Sequence, residues 1–326
     1  MRTLKLLTAI AIPAALAVLA MPAAHAAQPA YPEKPIRFVI GSAPGSGPDI
    51  IARALADRLY GAWGQRIVVD ARPGVAGILS ADLVLRSAAD GYTWMMLTSQ
   101  LHVATAVYPN VKFDLEKDFA SISLIGTVPF VLAVNPELPA KSIRELIELA
   151  KKTPGAIQYG SAGTGATEHL SAVLFTRMTG TNMLHVPYKG IAEALAATMG
   201  NEVHFTYAVL PAARSIVQSG RVRALAVTSR KRAAMLPDVP TISETVPGYE
   251  TLGWYSVVAQ TGTPPAILAK VSAEIVKAVK EPQFGELLKS LGLEIVGSSR
   301  AELDAFRRDQ TKRIAELVQA SGVNVK

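Results

Sequence analysis

Two hydrophobic rhythms alternate along this chain: a period of two, which predicts strands, and an i, i+4 spacing, which predicts helices. Ile36-Arg37-Phe38-Val39-Ile40 reads as a strand, followed by a loop rich in Gly, Pro and Ser. Ile51, Leu55 and Leu59 then share one face of a helix. Arg66 to Asp70 predicts the next strand. An Arg72-Pro73-Gly74 turn, a helix from about Gly77 to Ser87 and a strand from Tyr92 to Leu97 follow.

The theme then repeats. Ser142 and Glu145 form a capping-box pattern, and Pro154-Gly155 stops the helix it opens. Ile157 to Gly160 is a strand, followed by a second glycine-rich loop. The helix after that loop carries Leu170, Val173, Leu174 and Met178, with Gly180 at its C-terminus. Met183–Val186, Val203–Val209 and Val222–Thr228 read as strands with helices between them. The chain after Pro264-Pro265 is mostly helical, with Ser299 and Glu302 forming a second capping box. This alternation predicts parallel sheets with helices on both faces, in two α/β lobes. Gly126 to Asn135 and Thr251 to Gln260 are strand-like and could cross between lobes. The expected organisation is a discontinuous lobe I (27–126 and 253–326) around lobe II (127–252).

Residues 1–26 do not belong to that pattern. Arg2 and Lys5 precede an apolar run from Leu6 to Ala20, Pro22 breaks it, and Ala24-His25-Ala26 has the form of a cleavage signal. The run is short for a membrane span, so the expectation is a cleaved export leader and a periplasmic mature protein starting near Ala27. The absence of cysteine excludes disulfides, a thiol nucleophile, thiolate metal ligation and a lipid-bearing N-terminal cysteine. Formal charge is +7, or +5 once Arg2 and Lys5 leave, a modest field that favours anions. Arg221, Arg223, Arg230, Lys231 and Arg232 read as a solvated turn. No nucleic-acid partner is expected, since aromatics do not interleave with a basic stripe.

The most informative feature is an internal echo. Gly41-Ser42-Ala43-Pro44-Gly45-Ser46-Gly47 and Gly160-Ser161-Ala162-Gly163-Thr164-Gly165 each follow a strand and precede a helix. Glycines allow close backbone approach to a ligand, and a helix N-terminus behind them offers free N–H groups and a positive dipole end. Such loops bind carboxylate or phosphate without arginine. Two facing loops could grip both ends of a dicarboxylate. The expected donors are Ser42, Gly45, Ser46, Gly47, Ser161, Gly163, Thr164 and Gly165, with Ala43 in the first loop. Thr98, Ser99 and Gln100 follow a parallel strand and are expected in the cleft. Thr167, His169, Tyr188 and Tyr207 are further candidates. Asp49 is either a first-turn partner of the helix dipole or an acceptor for a ligand ammonium or hydroxyl.

Other chemistries find less support. Gly45-Ser46-Gly47 with Asp70 at the end of the next strand resembles a dinucleotide site, but Ile50 occupies the third glycine position. No Walker lysine and no Gly-x-Ser-x-Gly elbow is present. His102, His169, His185 and His204 lack zinc spacing. His185 and His204 read as structural, and His169 either lines the cleft or caps a packing site. Of Trp63, Trp94 and Trp254, only Trp254, in a crossover, is a candidate for the site. No metal, cofactor or catalytic residue is expected.

The quoted loops carry a family resemblance over nearly the whole mature chain. Tyr31-Pro32-x-Lys34-Pro35-Ile36-Arg37, Ala43-Pro44-Gly45 with Asp49-Ile50-Ile51-Ala52-Arg53, and Arg72-Pro73-Gly74 with Gly77 resemble the Bug family, periplasmic solute receptors of tripartite tricarboxylate transporters. Tyr159-Gly160-Ser161-x-Gly163-x-Gly165 with His169-Leu170, His185-Val186-Pro187-Tyr188-Lys189-Gly190 and Leu236-Pro237-Asp238-Val239-Pro240-Thr241 extend it. The resemblance implies a two-lobed type II periplasmic binding fold with two crossover segments. It implies a carboxylate or amino-acid ligand held by the two loops, and hand-off to membrane transporter subunits; the chain itself is expected to be a monomer. Some family members serve as sensors, which leaves a sensor partnering a membrane kinase as an alternative. Ser42 stands where the family usually has a bulky residue, Ser46 where it has glycine, and Ala208 where it often has Asp. These departures imply a different, bulkier ligand than a small amino acid.

Overall fold

The computed structural model describes residues 31–108 and 110–321. The expected leader and its cleavage site lie outside the described residues. From Pro32 onward the elements are β1 (Ile36–Ile40), α1 (Gly47–Trp63), β2 (Ile67–Ala71), α2 (Ile78–Leu85), β3 (Thr93–Thr98), α3 (Ser99–Val107), α4 (Leu115–Asp118) and β4 (Phe119–Val134). There follow α5 (Ile143–Lys152), β5 (Gln158–Ser161), α6 (Thr167–Thr179), β6 (Leu184–Pro187), α7 (Ile191–Met199), β7 (Phe205–Val209), α8 (Leu210–Gln218) and β8 (Arg223–Val227). The chain ends with β9 (Leu252–Gln260), α9 (Pro265–Val279), α10 (Pro282–Ser290), β10 (Glu294–Ile295) and α11 (Arg300–Ser321). The strands and helices fall within a residue or two of most sequence-predicted bounds.

Two half-sheets share β4, and they repeat one plan. In the first, β1 lies between β2 and β3, all parallel, and β3 then pairs antiparallel with β9, which pairs with β4. In the second, β5 lies between β6 and β7, all parallel, and β7 pairs antiparallel with β4, which pairs with β8. Each half thus borrows one antiparallel strand from a segment that passes between the halves. Both expected crossing segments are strands, β4 and β9, and they run side by side from Phe119↔Gln260 to Pro129↔Leu252.

Burial follows the predicted faces. Ile51, Leu55 and Leu59 of α1 are fully buried, and Gly64 caps that helix with φ 68°. A first core around Val39, Met95, Leu97 and Trp254 fills the first half. A second, around Leu132, Phe175, Phe205, Tyr207 and Tyr249, fills the other. Three expectations are corrected. The buried face of α6 is Leu170, Ala172 and Phe175, whereas Met178 is exposed. Arg223 is no solvated turn residue: its guanidinium donates to the carbonyls of Pro136, Leu138 and Ala140 and so pins the loop after β4. Trp254 is fully buried, edge-on to His102 and Phe306, and belongs to the core.

Candidate functional site

The two glycine loops occupy equivalent places. Each follows the middle strand of a parallel triplet, β1 or β5, where the strand order reverses and a crevice opens beyond the carboxyl ends. Each runs into a long helix, α1 or α6.

Much of the expected donor set is turned inward to build the loops. In the first loop the Gly45 N–H donates to Asp49 Oδ2 (2.9 Å), and the Ser46 hydroxyl donates to the Ala43 carbonyl (2.6 Å). Asp49, only 4% exposed, also accepts from Arg53 Nε, whose hydrogen bond holds its carboxyl below the usual range despite burial. The first-turn reading of Asp49 therefore describes its Oδ2, while its buried Oδ1 meets no donor among the described residues. In the second loop Ser161 is fully buried. Its hydroxyl donates to the Gly163 carbonyl, accepts from the Gly163 N–H and bonds His185 Nε2 at 2.7 Å. The Gly165 N–H donates to His169 Nδ1 (3.1 Å). So the hydroxyls of Ser46 and Ser161, and the N–H groups of Gly45, Gly163 and Gly165, are framework. Among the described residues, the N–H groups of Gly47 and Thr167 at the helix starts, and of Thr164 in the second loop, meet no protein acceptor. Ser42 and Thr167 add partly exposed hydroxyls.

The histidines are scaffold for the second loop. His169 and His185 stack with centroids 4.0 Å apart, and Tyr159 stacks beyond His185 at 5.1 Å. Burial pushes both imidazoles down to about 4, and the neighbouring His185 adds to the shift at His169. Both are therefore neutral at pH 7. His169, left open as cleft or packing residue, accepts from the loop and packs. His204 Nδ1 accepts from the Gln158 N–H, and is structural as expected.

Thr98 caps α3 through Leu101 N–H, Ser99 is 8% exposed, and Gln100 is exposed. Tyr188 packs beside the second loop, its N–H donating to the Ser161 carbonyl. Tyr207 is fully buried in the second core, edge-on to Phe205. Ala208 is fully buried as well.

The halves meet around these loops. A Cβ on Gly165 would lie 3.0 Å from Val107 Cγ1, so the second loop rests on the end of α3. Two residues that sequence reasoning missed flank the loops. Tyr255 of β9 pairs with Thr98, and its Oη would be 3.6 Å from a Cβ on Gly47. Burial, and secondly the charge of Glu168 in α6, push its phenol up to about 12. Glu168 stands in the first turn of α6, directly after the second loop. An acid in a first helical turn reads as an ordinary dipole partner, which hides it in the sequence. Beside this cleft, an open groove of about 620 Å³ shares only Ser99 and Thr167 with the expected site; its wall is α6, α11 and residues 248–252.

Asp70 accepts from Arg37 and Arg72, leaving it committed to protein rather than to a ribose. Among the described residues no His/Cys/Asp/Glu cluster is placed to hold a metal, and no helix is long and apolar enough to cross a membrane.

Comparison with known proteins decides the family. Residues 51–323 match the tripartite tricarboxylate transporter family receptor. The chain belongs to that family. This receptor is 32% identical to protein BugT of Bordetella pertussis over 299 residues, covering 91% of this chain and 92% of BugT. It resembles the solved structure of R. palustris Rpa4515 with adipate at TM-score 0.78 and 34% identity, covering 90% of this chain and 99% of that one. It also resembles MatC from Rhodopseudomonas palustris with bound malate at TM-score 0.74 and 25% identity, covering 88% and 100%. The two-lobed periplasmic binding fold is shared with these receptors.

Proposed function

We propose that this receptor closes its two halves around a small organic carboxylate and delivers it to the membrane subunits of a tripartite tricarboxylate transporter. The reading rests on one observation above the rest: Gly47 of the first loop lies against Tyr255 of β9 and Gly165 of the second against Val107 at the end of α3, which supports the equivalent loops converging on one cleft. The open N–H groups of Gly47, Thr164 and Thr167 and the hydroxyls of Ser42 and Thr167 supply the anion contacts, with Thr98, Ser99, Gln100 and Tyr188 at the walls. Ala43, Gly45, Ser46, Asp49, Ser161, Gly163, Gly165 and His169 hold that geometry. Adipate in Rpa4515 and malate in MatC, both dicarboxylic acids, support the ligand class.

In this reading residues 1–26 are the cleaved leader, lobe I comprises 27–126 and 253–326, and lobe II comprises 127–252. The mature protein is a periplasmic monomer that needs no cofactor, binds no nucleic acid and turns nothing over. Closure follows from differential affinity, since a ligand touching both lobes stabilises the closed form. The test is a thermal-shift screen of the mature protein against organic acids, aromatic acids and nucleotides. A ligand at 100 times its Kd adds about 2.7 kcal/mol to stability. A carboxylate should raise Tm, recovered unchanged afterwards, and Gly163→Val should abolish the shift. A response to NAD and to no carboxylate refutes the proposal.

A further inference from the structure

The carboxylate cleft continues into a groove that its loops do not use. Along one face of α6, Thr167, Leu170, Leu174 and Met178 follow one another at helical spacing, and they share the lining of that groove with Phe306, Ile314 and Leu317 of α11. Val103 of α3 and Leu252 at the start of β9 complete the apolar lining. At about 620 Å³ the groove has the volume of a small-molecule pocket, which is about 300–1,000 Å³. Val103, Leu170 and Ile314 are buried against one another. Leu174, Leu252, Phe306 and Leu317 are only half-buried, and Met178 is exposed. Apolar side chains left open to water around one groove mark a binding surface.

The charges along the groove decide which end an anion takes. Thr167 and Ser99 line the carboxylate cleft as well, and the Thr167 N–H, which among the described residues meets no protein acceptor, opens at the positive end of α6. Elsewhere the acids lining the groove, Glu250, Asp309 and Glu316, outnumber its bases, Arg177 and Arg313. Asp309 engages Arg313 at 2.8 Å, and Glu250 lies 3.0 Å from Arg230 and 3.8 Å from Arg313. A carboxylate is therefore favoured at the Thr167 end and an uncharged chain along the rest.

We propose that the groove between α6 and α11 receives an apolar tail of the ligand, so that the receptor's substrate class is the medium-length monocarboxylate with an unbranched alkyl tail, its carboxylate on the loops. This names the ligand of the carboxylate reading and rests on it. From Thr167 to Met178, α6 extends roughly 16 Å at about 1.5 Å per residue, so the groove follows a tail well beyond the length of butyrate. Burying the tail removes the alkyl chain and the open side chains of the groove from water together. α6 and α11 belong to different lobes in this reading, so the tail touches both and favours closure.

The experiment measures Kd by calorimetry on the mature protein for butyrate, hexanoate, octanoate and decanoate, with succinate and adipate as tailless dicarboxylates. Kd should fall about tenfold with each pair of methylenes from butyrate to octanoate, the effect of burying them. Met178→Asp and Leu317→Asn, at an exposed and a half-buried position, should flatten that series while leaving butyrate affinity in place. Gly163→Val, which disables the second loop, should remove binding of the whole series. Alkanoates that fail to bind or gain nothing with length, a gain that both groove variants keep, or octanoate binding that survives Gly163→Val overturns the tail groove. Binding of succinate or adipate then leaves the carboxylate reading standing. Binding of no acid overturns both.

Discussion

Lowering the pH should destabilise this receptor through two buried histidines before its carboxylates titrate. His102 is 2% exposed, bonds Thr311 Oγ1 through Nε2 at 2.8 Å and presents a buried Nδ1 with no protein partner. His169 is 5% exposed and accepts from the Gly165 N–H. Desolvation lowers each from 6.5 to about 4, assisted at His102 by Arg307 and at His169 by His185. The folded pKa is thus below the unfolded one. Above pH 6.5 neither state binds the proton. Between about 6.5 and 4 the unfolded chain binds it and the folded chain does not, so stability falls as pH falls. The slope is about 1.4 kcal/mol per pH unit for each histidine in mid-window, and the full loss is about 3 kcal/mol each. Together they reach about 6 kcal/mol, large against the roughly 5–15 kcal/mol that holds a protein folded. His185, likewise lowered to about 4, adds in the same sense, whereas Glu168 and Glu294, whose carboxyls burial raises, act with the opposite sign over part of this range. The readout is therefore a difference. Urea unfolding from pH 7 to pH 5 is followed for the wild type, His102→Gln and His169→Asn. Each variant should lose one histidine's share of the slope. Differences from wild type that stay constant across pH would refute the assignment of these rings as buried and neutral.

Four other substitutions follow from local packing and hydrogen bonding. Gly165 has φ +80° and a Cβ position 3.0 Å from Val107, so Gly165→Ala should lower ligand affinity at least tenfold in calorimetry, while Gly45→Ala, with φ +79° and open space around it, should cost only about 1–2 kcal/mol of stability. Gly126→Ala puts a Cβ 2.6 Å from the Glu294 carbonyl and should displace β10 from β4, visible as faster amide exchange at Val296. Arg307, 2% exposed, donates to the carbonyls of Leu115 and Phe119 and to Ser121 Oγ; Arg307→Met should destabilise by about 3–5 kcal/mol in urea titration, given about 1.5–3 kcal/mol for a hydrogen bond to a charged group.

The sequence is legible where a feature is local. The faces of α1, the cap at Gly180 and the reciprocal Ser299–Glu302 box all follow from spacing within one element. The Ser142 box is half as read: Ser142 Oγ accepts from the Glu145 N–H, but Glu145 reaches back to the Lys141 N–H. The start of β4 was hidden because its pairing with β9 slips at Ser121/Ser123 and Leu124/Gly126, which breaks the period of two. Its buried Ser123 is satisfied by the distant Ser298 carbonyl. In the cleft, the position of the loops was readable, but the division of their donors was not. Ser161 looks like a ligand donor until His185, which reaches it from β6, occupies its hydroxyl. Tyr255 reaches Gly47 of the first loop only through tertiary structure.

The position of β9 bears on the order in which the chain can fold. It lies between β3 and β4, with Trp94 opposite Ala259 on one side and Ala120 opposite the same residue on the other. The first half-sheet therefore lacks an interior strand until residues 252–260 have arrived, whereas β5 to β8 can assemble on β4 from contiguous chain. Until then β3 and one side of β4 are open edges, the kind that recruit neighbouring chains. Pairings this distant in sequence form slowly. The N-terminal half is consequently the last part to become native, although it is made first, and a chain cut short before Leu252 should aggregate rather than fold into a separate lobe.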